Sequence, residues 1–352
     1  SPPGRSSPAR HTAPRGRRQA RRYAAPVPAS TAQWGRRLRA TLRMGGEDED
    51  VVLVDYDDSR ATSGGAASLG LDASFAVSRH TLIEPQPMTL QVWGLSRERR
   101  ERITRQANEA LERAYRERSL RQIGRVAVEA GRPGGAFGLL LSAEIMEVKH
   151  RREGADWRTE IKAQDGRIAW KSGFVSESAT GNTDLLTIEE ILRAAIPVLE
   201  GEEPADAFKA AAPELLQRKG YDGPAQGFVA FGPWAASNEG GLKTLGLRSF
   251  WNSGRLITVG ANELALDEAV VLVEGRTLLR ADTVARGYVE ADALLDYRLE
   301  PGRQVLLQRQ DGSQVGLSAT YRVDQVEHRG STWSTEWTSA LSLRPTGLRQ
   351  AV

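Results

Sequence analysis

The sequence predicts an α+β protein, mainly β, in which a helical insertion separates two β-rich regions. Three observations carry this. Apolar residues alternate with small or polar ones in short runs on both sides of a central stretch, the mark of half-buried strands. Segment 97–119 repeats its apolar residues at helical spacing instead. Segment 187–199 opens on a capping box and continues as a helical apolar face.

The elements follow in order. Residues 1–46 are rich in Arg, Pro, Ser and Ala and lack apolar periodicity. That is the composition of a disordered tail, or of an extended arm held by a neighbouring subunit. A strand is expected at 51–56. Leu69, Leu71, Ala73, Phe75 and Val77 alternate as a second strand, and Met88, Leu90 and Val92 as a third that ends at Gly94. Ser96 can cap the helix that follows. Ile103, Ala107, Ala110, Leu111 and Ala114 lie on one narrow face of it, so this helix docks on a surface from outside. Strands are expected at 123–130, 137–148 and 157–163, with a turn at 131–135 and another at Asp165-Gly166.

A first β domain, 47–182, closes there. Thr187 and Glu190 form the capping box of the insertion, 183–255, and Ile188, Ile191, Leu192, Ala195, Ile196 and Leu199 make its helical face. Further helices are expected at 208–219 and 242–251. A second β domain, 256–352, has strands at 256–259, 269–273, 304–308, 314–326 and 332–343, and parts of the insertion can complete it. Pro301-Gly302 and Asp311-Gly312 punctuate these strands.

Charge is distributed unevenly. The chain of 352 residues has a formal net charge of +3. Residues 1–46 contain 11 Arg and no acid, which leaves 37 basic and 45 acidic side chains, a net of −8, for the rest. An acidic body therefore carries a basic arm. Arg15, Arg17, Arg18, Arg21, Arg22, Arg36, Arg37 and Arg39 are its expected assembly contacts. An arm of this kind can neutralise phosphates with strong salt dependence, or wrap acidic neighbours. The acidic body favours the second.

No constellation for chemistry emerges. The chain has no Cys, so thiolate metal sites, Cys nucleophiles and disulfides are excluded. His11, His80, His150 and His328 are scattered, outside any metal-binding spacing. The acidic run Glu47-Asp48-Glu49-Asp50, with Asp55, Asp57 and Asp58, fits a solvated linker better than a pair of carboxylates set across a cleft. Gly131-Arg132-Pro133-Gly134-Gly135 precedes a strand and not a helix, which argues for a hairpin turn over a phosphate loop. Trp93, Trp157, Trp170, Trp333 and Trp337 stand in strand-rich regions where packing is their expected role, with base stacking the alternative. The expectation is a protein without catalytic residues, cofactor or metal. No apolar run is long enough to span a bilayer, and no apolar core of a secretory signal follows the basic N-terminus.

The order of segments resembles the tailed-phage baseplate hub proteins of the late control protein D type. Val126–Gly131 (VAVEAG), FGLLLSAEIMEVKH from Phe137 and WRTEIKAQDG from Trp157 resemble the opening domain of that family, with Ala143 where the family has Gly. LLDYRLEPGRQVLL from Leu294 and YRVDQVEHRGSTWSTEW from Tyr321 resemble its closing part, with Ser331 where the family has Asp. The resemblance covers residues 50–345. It implies two tube-like β-barrel domains per chain and a homotrimer that joins a six-fold tail tube, or a distal tail protein, to a three-fold spike or tip. It also implies a place in the virion baseplate after assembly in the host cytoplasm, contact with a tape measure protein, and genomic DNA passing through the lumen without specific binding. The alternatives are another tube-fold tail protein such as a distal tail or tube-initiator protein, a nucleic-acid-binding protein acting through the arm, and a wall-degrading enzyme.

Overall fold

The computed structural model describes residues 35–44, 50–58, 71–117, 124–133, 135–183, 225–233, 236, 239, 247–260, 266–284, 288–315 and 320–346. The first unit is built from β1 (Arg37–Arg43), β2 (Val51–Asp57), β3 (Ala73–His80), β4 (Gln86–Trp93), β5 (Arg125–Gly131), β6 (Phe137–Glu153) and β7 (Asp156–Asp165), with helix α1 (Arg97–Glu117) between β4 and β5. A short helix α2 (Arg167–Ser172) leads to the ribbon β8 (Phe174–Thr183) with β9 (Ala225–Pro233). The hairpin β10 (Leu247–Asn252) and β11 (Arg255–Gly260) follows. The second unit comprises β12 (Leu266–Val273), β13 (Leu278–Thr283), β14 (Val289–Leu294), β15 (Arg303–Gln308), β16 (Tyr321–Ser331) and β17 (Trp337–Pro345).

The fold is mainly β, as the alternating pattern predicts. One 13-stranded sheet runs β13-β14-β17-β16-β3-β4-β7-β6-β5-β1-β2, with β15 joining β12 to β16. Every pairing is antiparallel except β12 with β15. The two units are thus not separate sheets. Strand β16 pairs with β15 through its first two residues and with β3 through Gln325–Ser331. Among the described residues the ladder does not close into a barrel: β2, β12 and β13 each have one paired neighbour.

Two apolar cores flank the shared strand. The first gathers inward residues of β1 to β7, such as Leu38, Val77, Leu90, Val128, Leu141 and Ile161, and borrows Leu295 and Trp337 from the second unit. The second gathers Leu272, Leu278, Leu299, Val305, Tyr321 and Leu343. Helix α1 docks from outside, as its narrow apolar face predicts. Ile103 and Ala110 are buried, and Ser96 caps it by accepting the Arg99 amide at 3.3 Å.

Three expectations are corrected. Residues 37–43, assigned to the arm, are strand β1, paired with β2 and β5. Leu38, Ala40 and Leu42 point inward at period two while Arg37, Arg39 and Arg43 do not, so the arginines that suggest an arm are the outward half of a strand. The helix expected at 242–251 is instead strand β10 from Leu247. Its signal lies in the turn: Ser253 and Gly254 both have positive φ, 54° and 87°, the geometry of a two-residue hairpin loop. The strand expected at 332–343 begins at Trp337, because Ser331 accepts the amides of Trp333 (3.4 Å) and Ser334 (3.2 Å) and holds a turn there. The capping box at Thr187, the helices expected at 188–199 and 208–219, and Arg15, Arg17, Arg18, Arg21 and Arg22 lie outside the described residues.

Candidate functional site: a buried charged junction

Where the two units and the β10–β11 hairpin meet, polar groups replace the apolar core. Arg79 continues the inward row Ala73, Phe75, Val77 of β3 and is only 1% exposed. Its Nη1 donates to the Leu140 carbonyl of β6 at 3.0 Å. Its Nη2 donates to Asn252 Oδ1 of β10 at 2.7 Å and to Glu300 Oε2 at 3.3 Å. Glu300 also accepts from Asn252 Nδ2 (3.2 Å) and Arg303 Nη2 (2.7 Å). One guanidinium therefore ties together β3, β6, the hairpin and the loop before β15. A planar fork of donors suits this, because several acceptors can be met from one rigid group.

A second layer holds the hairpin turn. Asp165, fully buried at the end of β7, accepts the Gly254 amide through both oxygens (2.8 and 3.1 Å) and Arg125 Nη2 at 3.2 Å. Arg125 also donates to the Ser142 carbonyl at 2.6 Å, and the Ser142 amide donates to Ser253 Oγ at 3.2 Å. Glu144 accepts the Ile168 amide at 3.2 Å and lies 4.0 Å from Arg125. On the second-unit side, buried His328 contacts Ser339 Oγ through Nδ1 (2.9 Å) and the Leu299 carbonyl through Nε2 (3.1 Å). The carbonyl only accepts, so Nε2 carries the proton.

Burial sets the electrostatics. Desolvation raises the Glu144 carboxyl to about 7 against the opposing pull of Arg125, and it raises Asp165 as well. It lowers His328 to about 3, helped by the positive charge of Arg79. A carboxyl near neutrality is what general-base chemistry requires, but Glu144 is buried and already accepts a backbone amide. Among the described residues no three His, Asp or Glu converge as metal ligands. The arrangement can fix three parts of the chain in one relative position.

Glu144 makes a pH prediction. Its unfolded pKa is near 4.5 and its folded pKa is higher. The folded state therefore holds the proton longer, and stability falls as pH rises from about 4.5 to about 7. Glu144→Gln keeps an acceptor for Ile168 and removes the charge. It is expected to stabilise the protein by about 2–3 kcal/mol at pH 8 and by little at pH 4.5. Thermal melts at the two pH values check this; equal effects at both would refute it.

The described arm residues are engaged within the chain. Arg36 Nη1 donates to the Ser331 carbonyl at 2.9 Å and also to the Ser334 carbonyl, and its amide donates to Asp58 at 2.8 Å. Arg37 sits 4.2 Å from the Phe137 ring centroid and 3.9 Å from Asp57. Arg39 is 4.0 Å from Glu129. In the acidic run, Asp50 pairs with Arg43 at 2.6 Å.

The tryptophans divide. Trp337 is buried edge-on against Phe75, and its Nε1 donates to the Gly131 carbonyl. Trp93 meets Trp333 edge-on at 4.4 Å and donates to Glu153, while Trp157 lies under Arg100 at 4.3 Å. Trp170 is partly buried in α2. His80 contacts Gln86, and His150 lies between Thr104 and Thr159. No helix of the described residues is long and apolar enough to cross a membrane.

No family model and no curated protein matches the chain. The solved structures that resemble it are tail proteins and injection-system components. A tail protein from Neisseria meningitidis is 10% identical, with 88% of this chain and 97% of that one covered, at a TM-score of 0.47. A 43 kDa prophage tail protein from Shewanella oneidensis is 9% identical, with 87% and 98% covered, at 0.49. A type VI secretion component from E. coli is 11% identical, with 79% and 75% covered, at 0.47. At TM-scores below 0.5 these likenesses do not fix the role of this chain.

Proposed function

We propose that the chain is a non-catalytic structural component of a phage tail or related injection machine, a hub whose copies form a trimeric ring between a six-fold tube and a three-fold spike. The observation that carries this reading is a sheet with unlike free edges. Among the described residues β2 and β13 end its main path, and β12, paired only with β15, ends the branch. An open edge invites another strand. A contact of the β13 edge of one copy with the β2 edge of the next is head-to-tail, so it closes into a ring when the rotation allows. Leu279 and Val284, 49% and 44% exposed, flank that edge with apolar surface. The buried junction supports the reading too, because it holds the units of each protomer rigid. The segments that resemble hub proteins fall on β5 to β7 and β14 to β17, which form much of the shared sheet.

In this reading the tail tube or a distal tail protein sits above, the spike or tip below and the tape measure protein inside. DNA passes without specific binding, and the arm laces neighbouring acidic bodies. Particle symmetry tests it. Native mass spectrometry is expected to show trimers, and Leu279→Lys is expected to shift the population toward monomer. Monomers that persist with tube and spike partners present would sink the proposal, and hexamers would favour a tube-initiator role. Deleting residues 1–34 is expected to weaken assembly. Loss of DNA retention with assembly intact would favour a nucleic-acid-binding role for the arm instead.

A further inference from the structure

The chain enters its folded body beside an exposed pair of tryptophans. Arg36 is the root of the basic arm. Its amide donates to Asp58 at 2.8 Å, and its guanidinium donates to the Ser331 carbonyl at 2.9 Å and to the Ser334 carbonyl. Those two carbonyls bracket Trp333 in the turn from β16 to β17. The turn is pinned to the start of β3, where the Thr332 amide donates to the Ala73 carbonyl at 2.9 Å. Trp333 is 50% exposed and meets Trp93, at the end of β4, at 4.4 Å with the ring planes 83° apart. Two indoles at right angles form an apolar corner open to water.

The rim of this corner is acidic. Glu153 accepts from Trp93 Nε1 at 3.1 Å, and its side chain is 53% exposed. Exposed Asp72 offers its carbonyl to the Trp93 amide at 2.8 Å, and exposed Glu336 offers its carbonyl to the Ser331 amide at 3.1 Å. Asp72 and Glu336 form no ion pair among the described residues. Arg158, opposite Trp93 in the ladder, lies 3.5 Å from Glu153, and Arg329 of β16 lies 2.8 Å from Glu327. Such a rim repels a phosphate backbone and attracts a basic chain. The arm supplies one: Arg21 and Arg22 precede Pro26 and Pro28 in it. Proline rings pack against aromatic rings from a chain already biased to one extended form, so little entropy is lost on docking. Pro28 precedes Arg36 by eight residues, a reach of up to about 26 Å when extended.

We propose that the Trp93–Trp333 corner is the docking site for the chain's own arm, with Pro26 and Pro28 against the indoles and Arg21 and Arg22 toward the acidic rim. The root at Arg36 brings this segment within reach of its own corner without a second copy. Residues 1–20 are left to meet a neighbouring subunit. The docking needs no ring, so it stands apart from the assembly proposed above.

Limited trypsin digestion of the full chain tests the docking, because the arm carries its own reference site at Arg10. Cleavage tracks the undocked population, so the cut after Arg22 is expected to be about tenfold slower than the cut after Arg10, read by mass spectrometry of the fragments. In Pro26→Ser/Pro28→Ser the two rates are expected to converge, and Trp333→Ser is expected to give the same convergence. Equal rates in the parent, or a difference that survives in either variant, overturns the proposal. Should Trp333→Ser not fold, the arm variant, which leaves residues 35–352 unaltered, decides alone. The digestion is repeated on monomer, obtained through Leu279→Lys where the parent assembles. Slow cleavage after Arg22 in the monomer supports docking within one chain, whether or not the ring forms. Slow cleavage confined to the oligomer means that a neighbouring copy supplies the arm, and overturns the proposal.

Discussion

Arg79→Met is expected to destabilise the protein by about 3–5 kcal/mol, the usual effect of removing one partner from a buried ion pair. The methionine fills much of the volume, so the loss is mainly polar. The Leu140 carbonyl and Asn252 Oδ1 each lose a donor at 3.0 and 2.7 Å. Glu300 keeps Arg303 and Asn252, which limits its own penalty. Two further readouts separate this role from plain packing. His328 titrates low partly because Arg79 lies nearby, so its pKa is expected to rise in the variant, measurable by NMR. Hydrogen exchange is expected to rise along β10 and the start of β15 before the centre of the first core opens, since the hairpin and the loop before β15 lose a shared anchor. A variant within 1 kcal/mol of the parent in urea unfolding would show that the junction does not hold the units.

Gly166→Ala is expected to cost about 2–5 kcal/mol through two effects. Gly166 has φ +78°, where a residue with a Cβ is strained. A Cβ there would also lie under 3.0 Å from three ring atoms of Trp251. Trp251 is 1% exposed on β10, and Gly254, two residues past the end of that strand, is held by Asp165. The indole cannot yield without pulling at this turn, so the overpacking is not relieved locally. Trp251→Leu in the same chain makes room for the methyl. The double variant is expected to lose less than the sum of the single losses, a coupling that a double-mutant cycle measures. Additive losses would mean that the backbone strain acts alone.

Much of the first unit was legible in the sequence. Alternation marked β3 and β4, the cap at Ser96 and the narrow apolar face marked α1, and Asp165-Gly166 marked the turn that ends β7. These signals are local, set by period and turn chemistry, and survive any tertiary context. Strand β1 was hidden because arginine fills every outward position from Arg37 to Arg43 except Thr41, so composition masked the alternation of Leu38, Ala40 and Leu42. The junction was not legible as a site. One signal was present: Arg79 occupies an inward position of a clean alternating strand, and a charge there must find buried partners. Which partners it finds could not be read, because Leu140, Asn252 and Glu300 lie 61, 173 and 221 residues away. Glu144 and Asp165 carried no separate mark, since their burial comes from the hairpin that packs over them.

Strand β16 has a mechanical consequence. Its first residues belong to one unit and Gln325–Ser331 pair with β3 of the other. A load that draws the units apart along this strand is borne by continuous covalent backbone and by seven ladder positions against β3 acting together in shear. Such a joint resists pulling far better than peeling, in which the pairs would fail one at a time. The molecule is accordingly stiff against tension along β16, and a force applied across the strand, at the Ser331 end, is the direction in which it yields first.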